Sequence, residues 1–221
     1  MHKSIILLSG GLDSVVSLGY CVNNTDYNVE LAITFDYGQK TALQEIEASK
    51  KICEYYNIKH IVINLDWLKE ITNTGLVSDV DIASDGFETY ESMKTVWVPN
   101  RNSLFLNIAA CFCDSFGYSH IIFGANKDEG CTFTDNTEEF RGLISECFKM
   151  STIVKPSVIA PLINYGKDDI VKIAIRDSIP LDFIKSCYKE GEKHCGECES
   201  CYYLKKALLA NNCERYLKIL F

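Results

Sequence analysis

The sequence predicts an α/β fold in which helices cover both faces of a parallel sheet and a small cysteine-rich appendage follows. Three observations support this prediction. Short apolar runs rich in β-branched residues alternate with longer stretches of helical periodicity, which is the pattern of strand–helix units in a parallel sheet. The first apolar run ends in Ser9-Gly10-Gly11 and leads directly into a helical pattern. The composition then changes sharply at about residue 185, where cysteines become frequent.

The expected elements can be placed along the chain in order. The segments with strand character are residues 5–8, 31–35, 61–65 and 121–123. The segments with helical periodicity are residues 14–22, 43–56, 103–113, 168–175 and 202–209. Residues 72–99 are rich in Thr, Asp, Ser and Gly and show little periodicity, so we expect a long loop of the kind that is often functional. A Rossmann-like sheet of this type binds ligands beyond the carboxyl ends of its strands.

Length and composition favour one main domain in an intracellular protein. With 221 residues, of which 47% are hydrophobic, the chain can bury one sizeable core. We expect residues 1–184 to form this domain and residues 185–221 to form a metal-binding segment packed on it. No apolar run reaches the roughly 18 residues that a membrane span needs, and the first residues lack signal-peptide anatomy. The expected location is therefore the cytoplasm, without a membrane partner.

The charge balance disfavours a nucleic-acid substrate. The chain carries 22 Lys and Arg against 30 Asp and Glu, for a formal net charge of -8 and a pI of about 5.1. Proteins that grip a phosphate backbone usually present a basic face. We therefore expect no direct nucleic-acid partner.

The loop after the first strand has the chemistry of an anion site. Glycines let backbone N–H groups turn towards a phosphate, and the following helix adds its dipole. The loop lacks the Gly-Lys-Ser/Thr ending of a Walker A motif, and it is not a G-x-G-x-x-G motif. Asp13 leaves two interpretations open. A carboxylate beside phosphates indicates a Mg²⁺ ion between them, whereas an aspartate at this place can also simply cap the helix or occupy its first turn.

Four cysteines near the C-terminus are spaced like the ligands of one metal site, namely Cys187, Cys195, Cys198 and Cys201. Two-residue gaps let a tight turn point thiolates at one ion, and four thiolates leave no open position, so a bound Zn²⁺ would be structural. An iron–sulfur cluster is the alternative, because it also uses Cys-x2-Cys spacing. His194 could replace one ligand, but we expect it to be exposed because four cysteines already suffice.

The glycine loop resembles a known phosphate-binding motif. Ser9-Gly10-Gly11-Leu12-Asp13-Ser14 is similar to the S-G-G-x-D-S loop of the N-type ATP pyrophosphatases, the PP-loop superfamily. The resemblance implies that the loop holds the β and γ phosphates of ATP, that ATP is split between its α and β phosphates, and that the substrate becomes an adenylate. The residues implied to bind ATP with Mg²⁺ are Leu8, Ser9, Gly10, Gly11, Leu12, Asp13 and Ser14.

A second superfamily motif contains a lysine. Lys167, in Tyr165-Gly166-Lys167-Asp168-Asp169-Ile170, is similar to a later lysine of this superfamily that also reaches the phosphates. The alternative is an exposed lysine at a helix start, where cations are disfavoured.

The whole chain resembles the 7-cyano-7-deazaguanine synthase (QueC) family within this superfamily. Five short motifs agree in order: Phe35-Asp36-Tyr37-Gly38-Gln39, Val98-Pro99-Asn100-Arg101-Asn102, Gly124-Ala125-Asn126, Ala160-Pro161-Leu162 and Ser186-Cys187-Tyr188. Each motif is weak alone, but their combination over nearly the full length is specific. The implied fold is an adenine nucleotide alpha hydrolase-like domain, the PP-loop ATP pyrophosphatase domain, over residues 1–184, with a zinc-binding segment over residues 185–221.

The family resemblance implies an enzyme that forms carbon–nitrogen bonds. Members convert 7-carboxy-7-deazaguanine, ATP and ammonia into the nitrile in queuosine biosynthesis, through an adenylated acid, an amide and a second adenylation. A homodimer with a structural zinc is implied as well. No dedicated nucleophile is required, because positioning and electrostatic stabilisation of the departing pyrophosphate can supply much of the rate.

The resemblance also implies roles for single residues. Asp13, Lys167 and Arg101 are the implied catalytic residues, and the planar fork of Arg101 suits either the acid or the α-phosphate. The residues implied to complete the ATP site are Phe35, Gly38 and Gln39, and those implied to bind the deazaguanine acid are Arg101, Asn102, Gly124, Asn126 and Asp135. From residue type alone, Arg101 can equally form a surface ion pair, and Asn126 and Asp135 are ordinary turn formers.

One segment departs from the common family pattern. Where many members carry D-Y-S-G-Y-P-D after the G-x-N motif, this chain carries Lys127-Asp128-Glu129-Gly130-Cys131-Thr132-Phe133-Thr134-Asp135-Asn136. We expect this segment to face the base or the acceptor. A QueC-like ligase that joins the acid to a protein amine therefore stays open. Two further alternatives are a tRNA-modifying enzyme of the same superfamily, which the acidic charge disfavours, and a zinc-held interaction module without activity, which the intact glycine loop disfavours.

Overall fold

The computed structural model describes residues 2–82 and 89–221, and its centre is one sheet in which every neighbouring pair of strands is parallel. The strands are β1 (His2–Leu7), β2 (Tyr27–Asp36), β3 (Lys59–Asn64), β4 (His120–Ile122) and β5 (Ser157–Ile159). Their order across the sheet is β3-β2-β1-β4-β5. The winding direction therefore reverses between β1 and β4, and ligands of such sheets bind at the carboxyl ends of the strands near that reversal.

Helices connect the strands and follow the last of them. Those in the described residues are α1 (Leu12–Asn24), α2 (Ala42–Tyr56), α3 (Trp67–Glu70), α4 (Tyr90–Lys94), α5 (Arg101–Phe116), α6 (Lys127–Gly130), α7 (Glu138–Ser151), α8 (Lys167–Arg176), α9 (Glu199–Ala210) and α10 (Glu214–Leu220). Single 3-10 turns lie at Thr134–Asn136 and Leu181–Phe183. Across the ranges that the structure describes, none of the helices combines the length and the apolar character needed to cross a membrane.

Both faces of the sheet are covered, as the sequence predicts. Side chains alternate across a strand, so Ile5 and Ile121 belong to one hydrophobic cluster while their neighbours Ile6 and Ile122 belong to the other. All four isoleucines are fully buried. Helices α1, α2, α8, α9 and α10 contribute to the cluster of Ile6, whereas α5 and α7 contribute to the cluster of Ile5. Burial of these two apolar layers is the main stabilising contribution to the fold.

The structure confirms the expected strands and helices, and it adds elements that the sequence did not lead us to predict: β5, α7, α10 and the short helices α3, α4 and α6. β5 has only 3 residues, which is too short for a period of two to be recognised. The start of α7 carried a readable signal. The Thr137 hydroxyl accepts the Phe140 N–H at 3.2 Å, and Glu138 and Glu139 occupy the first turn; both features favour a helix N-terminus.

The segment that was expected to be a long loop covers one face of the sheet. Of residues 72–99, the structure describes 72–82 and 89–99, and residues 83–88 lie outside the described residues. The described part contains one short helix, α4. Leu76, Val77, Val96 and Val98 are buried in the cluster of Ile5. The segment therefore contributes to the core although it has little regular structure.

The C-terminal segment shares the core of the main sheet. Leu204 and Leu208 of α9 and Tyr216 of α10 lie in the same cluster as Val15 of α1 and Ile170 of α8. These helices complete one face of the sheet. The boundary between residues 1–184 and 185–221 stays a prediction.

Gly124 marks the place where the chain leaving β4 passes the start of α1. A Cβ at Gly124 would lie 2.7 Å from the Ser14 nitrogen and 2.9 Å from the Asp13 carbonyl carbon. Both contacts are with backbone in the first turn of α1, directly after the glycine loop. A side chain at Gly124 would therefore have to displace that loop.

We expect Gly124→Ala to lower the free energy of unfolding by about 1–3 kcal/mol, the usual cost of overpacking. The measurement is urea unfolding of the purified protein. Gly142→Ala is the matched control, because Gly142 lies inside α7 and a Cβ there meets nothing within 4 Å. The control should raise stability by about 0.5–1 kcal/mol through helix propensity. Equal stability of the two variants would contradict this close packing.

Candidate active site and metal site

The glycine loop is tightly constrained by its neighbours. Gly10 has a φ of +75°, which disfavours any residue with a side chain. A Cβ at Gly10 would also lie 2.8 Å from the Ala48 Cβ and 2.9 Å from the Glu45 carbonyl oxygen, both on α2. The loop therefore needs glycine at this position for conformation and for space.

Hydrogen bonds connect the loop to the start of α1 and to the C-terminal segment. Within the loop, the Ser9 N–H donates to Ser14 Oγ at 3.2 Å. From the C-terminal segment, the Lys185 N–H donates to the Gly10 carbonyl at 2.8 Å, and Ser186 Oγ accepts the Leu12 N–H at 2.9 Å. Ser186 thus satisfies a helix N-terminal N–H of α1 from the other end of the chain.

A partly buried lysine joins two carboxylates beside this loop. Lys167 Nζ, at the start of α8, lies 2.5 Å from Asp13 Oδ2 and 2.7 Å from Glu129 Oε1. Burial alone would lower the pKa of Lys167, but the charges of Asp13 and Glu129 and their hydrogen bonds raise it above its usual value. Burial raises the pKa of Asp13 against the opposing effect of Lys167. Lys167 therefore remains a cation in the folded protein.

Asp13 is not the capping residue of α1, because the N-cap is Gly11. One oxygen of Asp13 pairs with Lys167, and the other, Oδ1, is buried without a hydrogen-bond partner among the described residues. A buried carboxylate oxygen of this kind fits an oxygen-ligated cation such as Mg²⁺.

The 127–136 segment is attached to the same lysine. Asp128 Oδ2 accepts the Lys167 backbone N–H at 2.7 Å, while Glu129 binds its side chain. The Lys127 N–H also donates to the Tyr165 carbonyl at 3.0 Å. The segment that departs from the common family pattern is therefore fixed to the lysine motif by adjacent residues.

A cavity of about 230 Å³ opens over the glycine loop. The expected ATP-site residues on its wall are Leu8, Ser9, Gly11, Leu12, Asp13, Ser14, Phe35 and Gln39. Gly10 and Gly38 are not on this wall. A Cβ at Gly38, whose φ is +81°, would lie 2.7 Å from Lys69, so Gly38 shapes the turn after β2 instead.

A larger cavity of about 740 Å³ adjoins the first. Arg101, Glu129, Lys167 and Tyr188 line both cavities, so the two meet at these side chains. Among the expected acid-binding residues, Asp135 lines the larger cavity.

Three of the expected acid-binding residues lie away from the larger cavity. Asn102 and Gly124 line the smaller cavity. Asn126 is on neither wall, because it is fully buried and its Oδ1 accepts the Glu129 N–H at 3.0 Å. The Asn126 Nδ2 has no hydrogen-bond partner among the described residues.

Arg101 is placed by an aromatic neighbour and faces a carboxylate. Its Nη1 donates to the Tyr37 hydroxyl at 3.3 Å, and its guanidinium lies 5.9 Å from the Tyr37 ring centroid. Burial raises the pKa of Asp135, and the Arg101 charge opposes this shift. Arg101 is therefore not a free surface arginine.

Sequence reasoning missed several polar residues of the site. Glu45 is the clearest example: its carboxylate accepts the Thr41 hydroxyl at 2.5 Å and Gln39 Nε2 at 3.1 Å. Burial raises the pKa of Glu45. Gln39 Oε1 in turn accepts the Tyr37 N–H at 2.9 Å. Tyr37 lies inside the motif of residues 35–39 and Glu129 inside the 127–136 segment, but neither was assigned a role, and Glu45 carried no local signal.

The four cysteines form a candidate metal site. Their sulfurs lie within 4.8 Å of one another, and Cys195 Sγ is 3.8 Å from Cys201 Sγ. Four Zn–S bonds of about 2.3 Å in a tetrahedron place sulfurs about 3.8 Å apart. The Lys189 and Cys195 N–H groups each donate to Cys187 Sγ at 3.3 Å. Such donors stabilise thiolate, so the residues present fit a metal ion.

The expectation that His194 is exposed is wrong. Its exposed fraction is 6%, and its Nε2 accepts the Ser186 N–H at 3.3 Å. The buried ring therefore supplies a hydrogen-bond acceptor for the backbone N–H of Ser186, the residue that precedes Cys187. This need for a hydrogen-bond acceptor is not visible in the cysteine spacing.

These features define an α/β protein with a glycine loop at the carboxyl end of the central strand, a position suited to an anion, and with four cysteines that could hold a metal ion. Residues 3–212 match the family model described as the queuosine biosynthesis protein QueC, and the chain belongs to this family.

Curated relatives named 7-cyano-7-deazaguanine synthase align over nearly the whole chain. The relative from Carboxydothermus hydrogenoformans is 46% identical over 213 residues, which cover 94% of this chain and 98% of the relative. The relative from Methanosarcina barkeri is 46% identical over 210 residues, which cover 90% of each chain.

Two solved structures share the fold at low sequence identity. The U34-tRNA thiolase NcsA from Methanococcus maripaludis, solved with its 4Fe-4S cluster, has a TM-score of 0.51 at 16% identity, over 97% of this chain and 67% of that chain. A 4-thiouridine synthetase solved with RNA and ATP has a TM-score of 0.53 at 20% identity, over 98% of this chain and 52% of that chain. At these identities the likeness shows the fold alone.

We expect Ser186→Ala to lower the free energy of unfolding by about 1 kcal/mol, because the Leu12 N–H loses its acceptor. Urea unfolding measures this effect, and the metal content should stay unchanged because Ser186 is not a ligand. Ser151→Ala is the control: Ser151 is exposed at the last residue of α7, and its loss should change stability by less than about 0.5 kcal/mol. The link would be refuted if both variants unfolded at the same urea concentration.

Proposed function

We propose that this chain uses ATP to convert 7-carboxy-7-deazaguanine and ammonia into 7-cyano-7-deazaguanine, the reaction that gives its relatives their name. The chain is thus a ligase of queuosine biosynthesis that forms carbon–nitrogen bonds. The observation that carries the proposal is the junction of the two cavities. At this junction the side chains of Lys167, Asp13 and Glu129 lie beside the glycine loop, and Arg101 lines both cavities.

In this proposal the smaller cavity binds ATP. The N-terminus of α1 attracts the β and γ phosphates through its N–H groups and its dipole. Lys167 offers a buried positive charge to the same phosphates, and this charge stabilises the departing pyrophosphate. Asp13 Oδ1 would hold Mg²⁺, which supplies further neutralisation of that charge when it is bound.

The larger cavity binds the deazaguanine acid. A guanine-like ring edge carries N–H donors that a carboxylate accepts, and Asp135 is a carboxylate on this wall. Arg101 lines both cavities, so its planar fork can pair with the acid or the α-phosphate where the two reactants meet. Asn102 and Gly124 then act on the nucleotide side, and Asn126 acts by positioning α6.

The amine acceptor in this proposal is ammonia. A carboxylate is a poor electrophile, and adenylation converts it into a good one. Ammonia then displaces AMP to give the amide, and a second adenylation permits dehydration to the nitrile. The two cavities bring the reactants together, and such positioning can supply much of the rate.

The metal of the four-cysteine site is Zn²⁺ in this proposal. The sulfur separations fit one tetrahedral ion. An iron–sulfur cluster holds its thiolates on several iron atoms, which spreads the sulfurs further apart than a single ion does. The zinc is structural because four thiolates leave no open position.

A homodimer acting on free small molecules completes the proposal. Leu143, Met150 and Ile153 are large apolar side chains that are exposed in the single chain, and a second copy would remove such surface from water. The net charge of -8 favours a free base over an RNA substrate.

The test is incubation of the pure protein with ATP, Mg²⁺, 7-carboxy-7-deazaguanine and ammonium, with products identified by mass spectrometry. We expect the nitrile, with AMP and pyrophosphate as the nucleotide products and two AMP per nitrile. ADP as the main product would rule out adenylation. One AMP per product with an amide end point would rule out the nitrile synthase, and label transferred to a protein amine would indicate the conjugating ligase.

Asp13→Asn is the matched variant for this assay, because it keeps the side-chain volume and removes the charge. We expect activity to fall on the order of 100-fold while the protein stays folded. Full activity of Asp13→Asn would contradict a role of this carboxylate in binding Mg²⁺. Its position in the first turn of α1 would then be the better explanation of Asp13.

We expect one zinc per chain and no visible iron–sulfur absorption. Cys198→Ser should lower the zinc content and the melting temperature together, because the binding energy of a structural site is also folding energy. Metal analysis and calorimetry measure the two effects. Cys147→Ser is the control, since Cys147 is exposed on α7. Unchanged zinc and melting in Cys198→Ser would mean that the ligands are wrongly assigned.

A further inference from the structure

Glu129 stands at the junction of the two cavities with its position fixed at both ends. Of the carboxylates that the structure describes, it alone lines both the smaller and the larger cavity. Its backbone N–H donates to Asn126 Oδ1 at 3.0 Å, and its Oε1 lies 2.7 Å from Lys167 Nζ. The expected ATP and acid sites left this residue without a role.

The reaction needs a proton acceptor at this junction. When an amine attacks an acyl adenylate, the nitrogen must lose a proton for the amide to form, and a side chain within reach can take it. Within the described residues, neither cavity is lined by a histidine. Lys167 is held as a cation, and Asp13 faces the smaller cavity only. Tyr188 lines both cavities, but burial raises the pKa of its hydroxyl well above the usual value, so it stays a neutral phenol. Glu129 is the carboxylate that remains at the junction.

We propose that Glu129 is the general base that takes a proton from the amine nitrogen as it attacks the adenylate. This role rests on the proposed function and extends it. Ammonia attacks the carbonyl carbon, the carbon–nitrogen bond forms, and the carbon–oxygen bond to AMP breaks with its electron pair remaining on AMP. One of the three nitrogen-bound protons moves to the Glu129 carboxylate, which leaves a neutral carboxamide. The proton then passes to solvent, and the carboxylate is restored.

Lys167 couples this base to the nucleotide. Burial would raise the pKa of Glu129, but the adjacent Lys167 ammonium lowers it overall, so the carboxylate is ionised before the amine arrives. Bound phosphates attract the same ammonium. As the contact between Lys167 and Glu129 weakens, the pKa of Glu129 loses the effect that lowers it, and the carboxylate becomes a stronger base. The other charged or titratable groups that face Glu129 are Asp13 of α1, Arg101 of α5, Asp135 of the 3-10 turn and Tyr188 of the C-terminal segment.

Two partial reactions separate the base from the phosphate chemistry. Adenylation is measured in the absence of amine, as the exchange of labelled pyrophosphate into ATP that requires 7-carboxy-7-deazaguanine. The amine step is measured as amide formation in a single turnover, after the preformed adenylate is mixed with ammonium. The variants are Glu129→Gln, which keeps an oxygen acceptor for Lys167, and Glu129→Asp, which keeps the charge with a shorter reach.

We expect Glu129→Gln to slow the amine step about 100-fold, within the usual range for a general base, while exchange changes by less than about threefold. Glu129→Asp should recover about a tenth of the wild-type rate of the amine step. Plotted against free ammonia rather than total ammonium, the wild-type rate should fall at low pH as Glu129 is protonated. The Glu129→Gln rate should be flat over the same range.

Equal losses of exchange and amide formation in Glu129→Gln would overturn the proposal, because Glu129 would then act through Lys167 on the phosphates. A Glu129→Gln protein that kept the acidic limb of the pH profile would overturn it as well. If Glu129→Gln does not fold, Glu129→Asp decides: intact exchange with a slowed amine step supports the base, and equal rates in both steps contradict it. If the wild-type protein shows no pyrophosphate exchange that requires 7-carboxy-7-deazaguanine, the proposed function is refuted, and the role of Glu129 as a base is refuted with it.

Discussion

One ammonium group joins three helices at the candidate active site. Lys167 Nζ lies 2.5 Å from Asp13 and 2.7 Å from Glu129, so one cation at the start of α8 joins carboxylates on α1 and α6. The side chains of Lys167 and Asp13 are only 14% and 18% exposed, and charges withdrawn from water in this way are costly unless they pair. The pairing therefore fixes the relative positions of three helix starts. An ammonium has three N–H donors, and these two contacts use two of them, so the group has a further donor for the phosphates of the proposed function.

The metal segment is tied to the same region by a continuous chain of contacts. The Lys185 N–H binds the Gly10 carbonyl, Ser186 Oγ binds the Leu12 N–H, and the Ser186 N–H binds the buried His194 ring beside the cysteines. A structural ion in this segment would therefore act on the glycine loop without touching a substrate. Because the binding energy of such an ion is part of folding, a metal bound by the C-terminal segment would also stabilise the geometry of the glycine loop.

The sequence predicted those features that depend on local order. The glycine loop, the first four strands and the cysteine spacing are local patterns, and the structure confirms the sheet and brings the four cysteines together. The pairing of Asp13 with Lys167 was beyond prediction from these patterns because 154 positions separate them. Glu129 and Glu45 are single carboxylates whose importance comes from their partners, Lys167 for the first and Gln39 with Thr41 for the second. His194 was placed wrongly because its ring binds the backbone N–H of Ser186, and cysteine spacing carries no information on that contact.

The segment of residues 127–136 divides into a part that binds Lys167 and a part that packs near Trp97. Asp128 and Glu129 bind the backbone and the side chain of Lys167, so their places follow from this lysine. Phe133 instead lines the larger cavity, where its ring plane lies within 2° of that of Trp97 at a centroid distance of 6.1 Å. Changes near Phe133 can therefore alter the larger cavity while the charge pairs of Lys167 stay in place. Under the proposed function, a departure from the common family pattern around Phe133 leaves adenylation unchanged and takes effect at the acid or the amine.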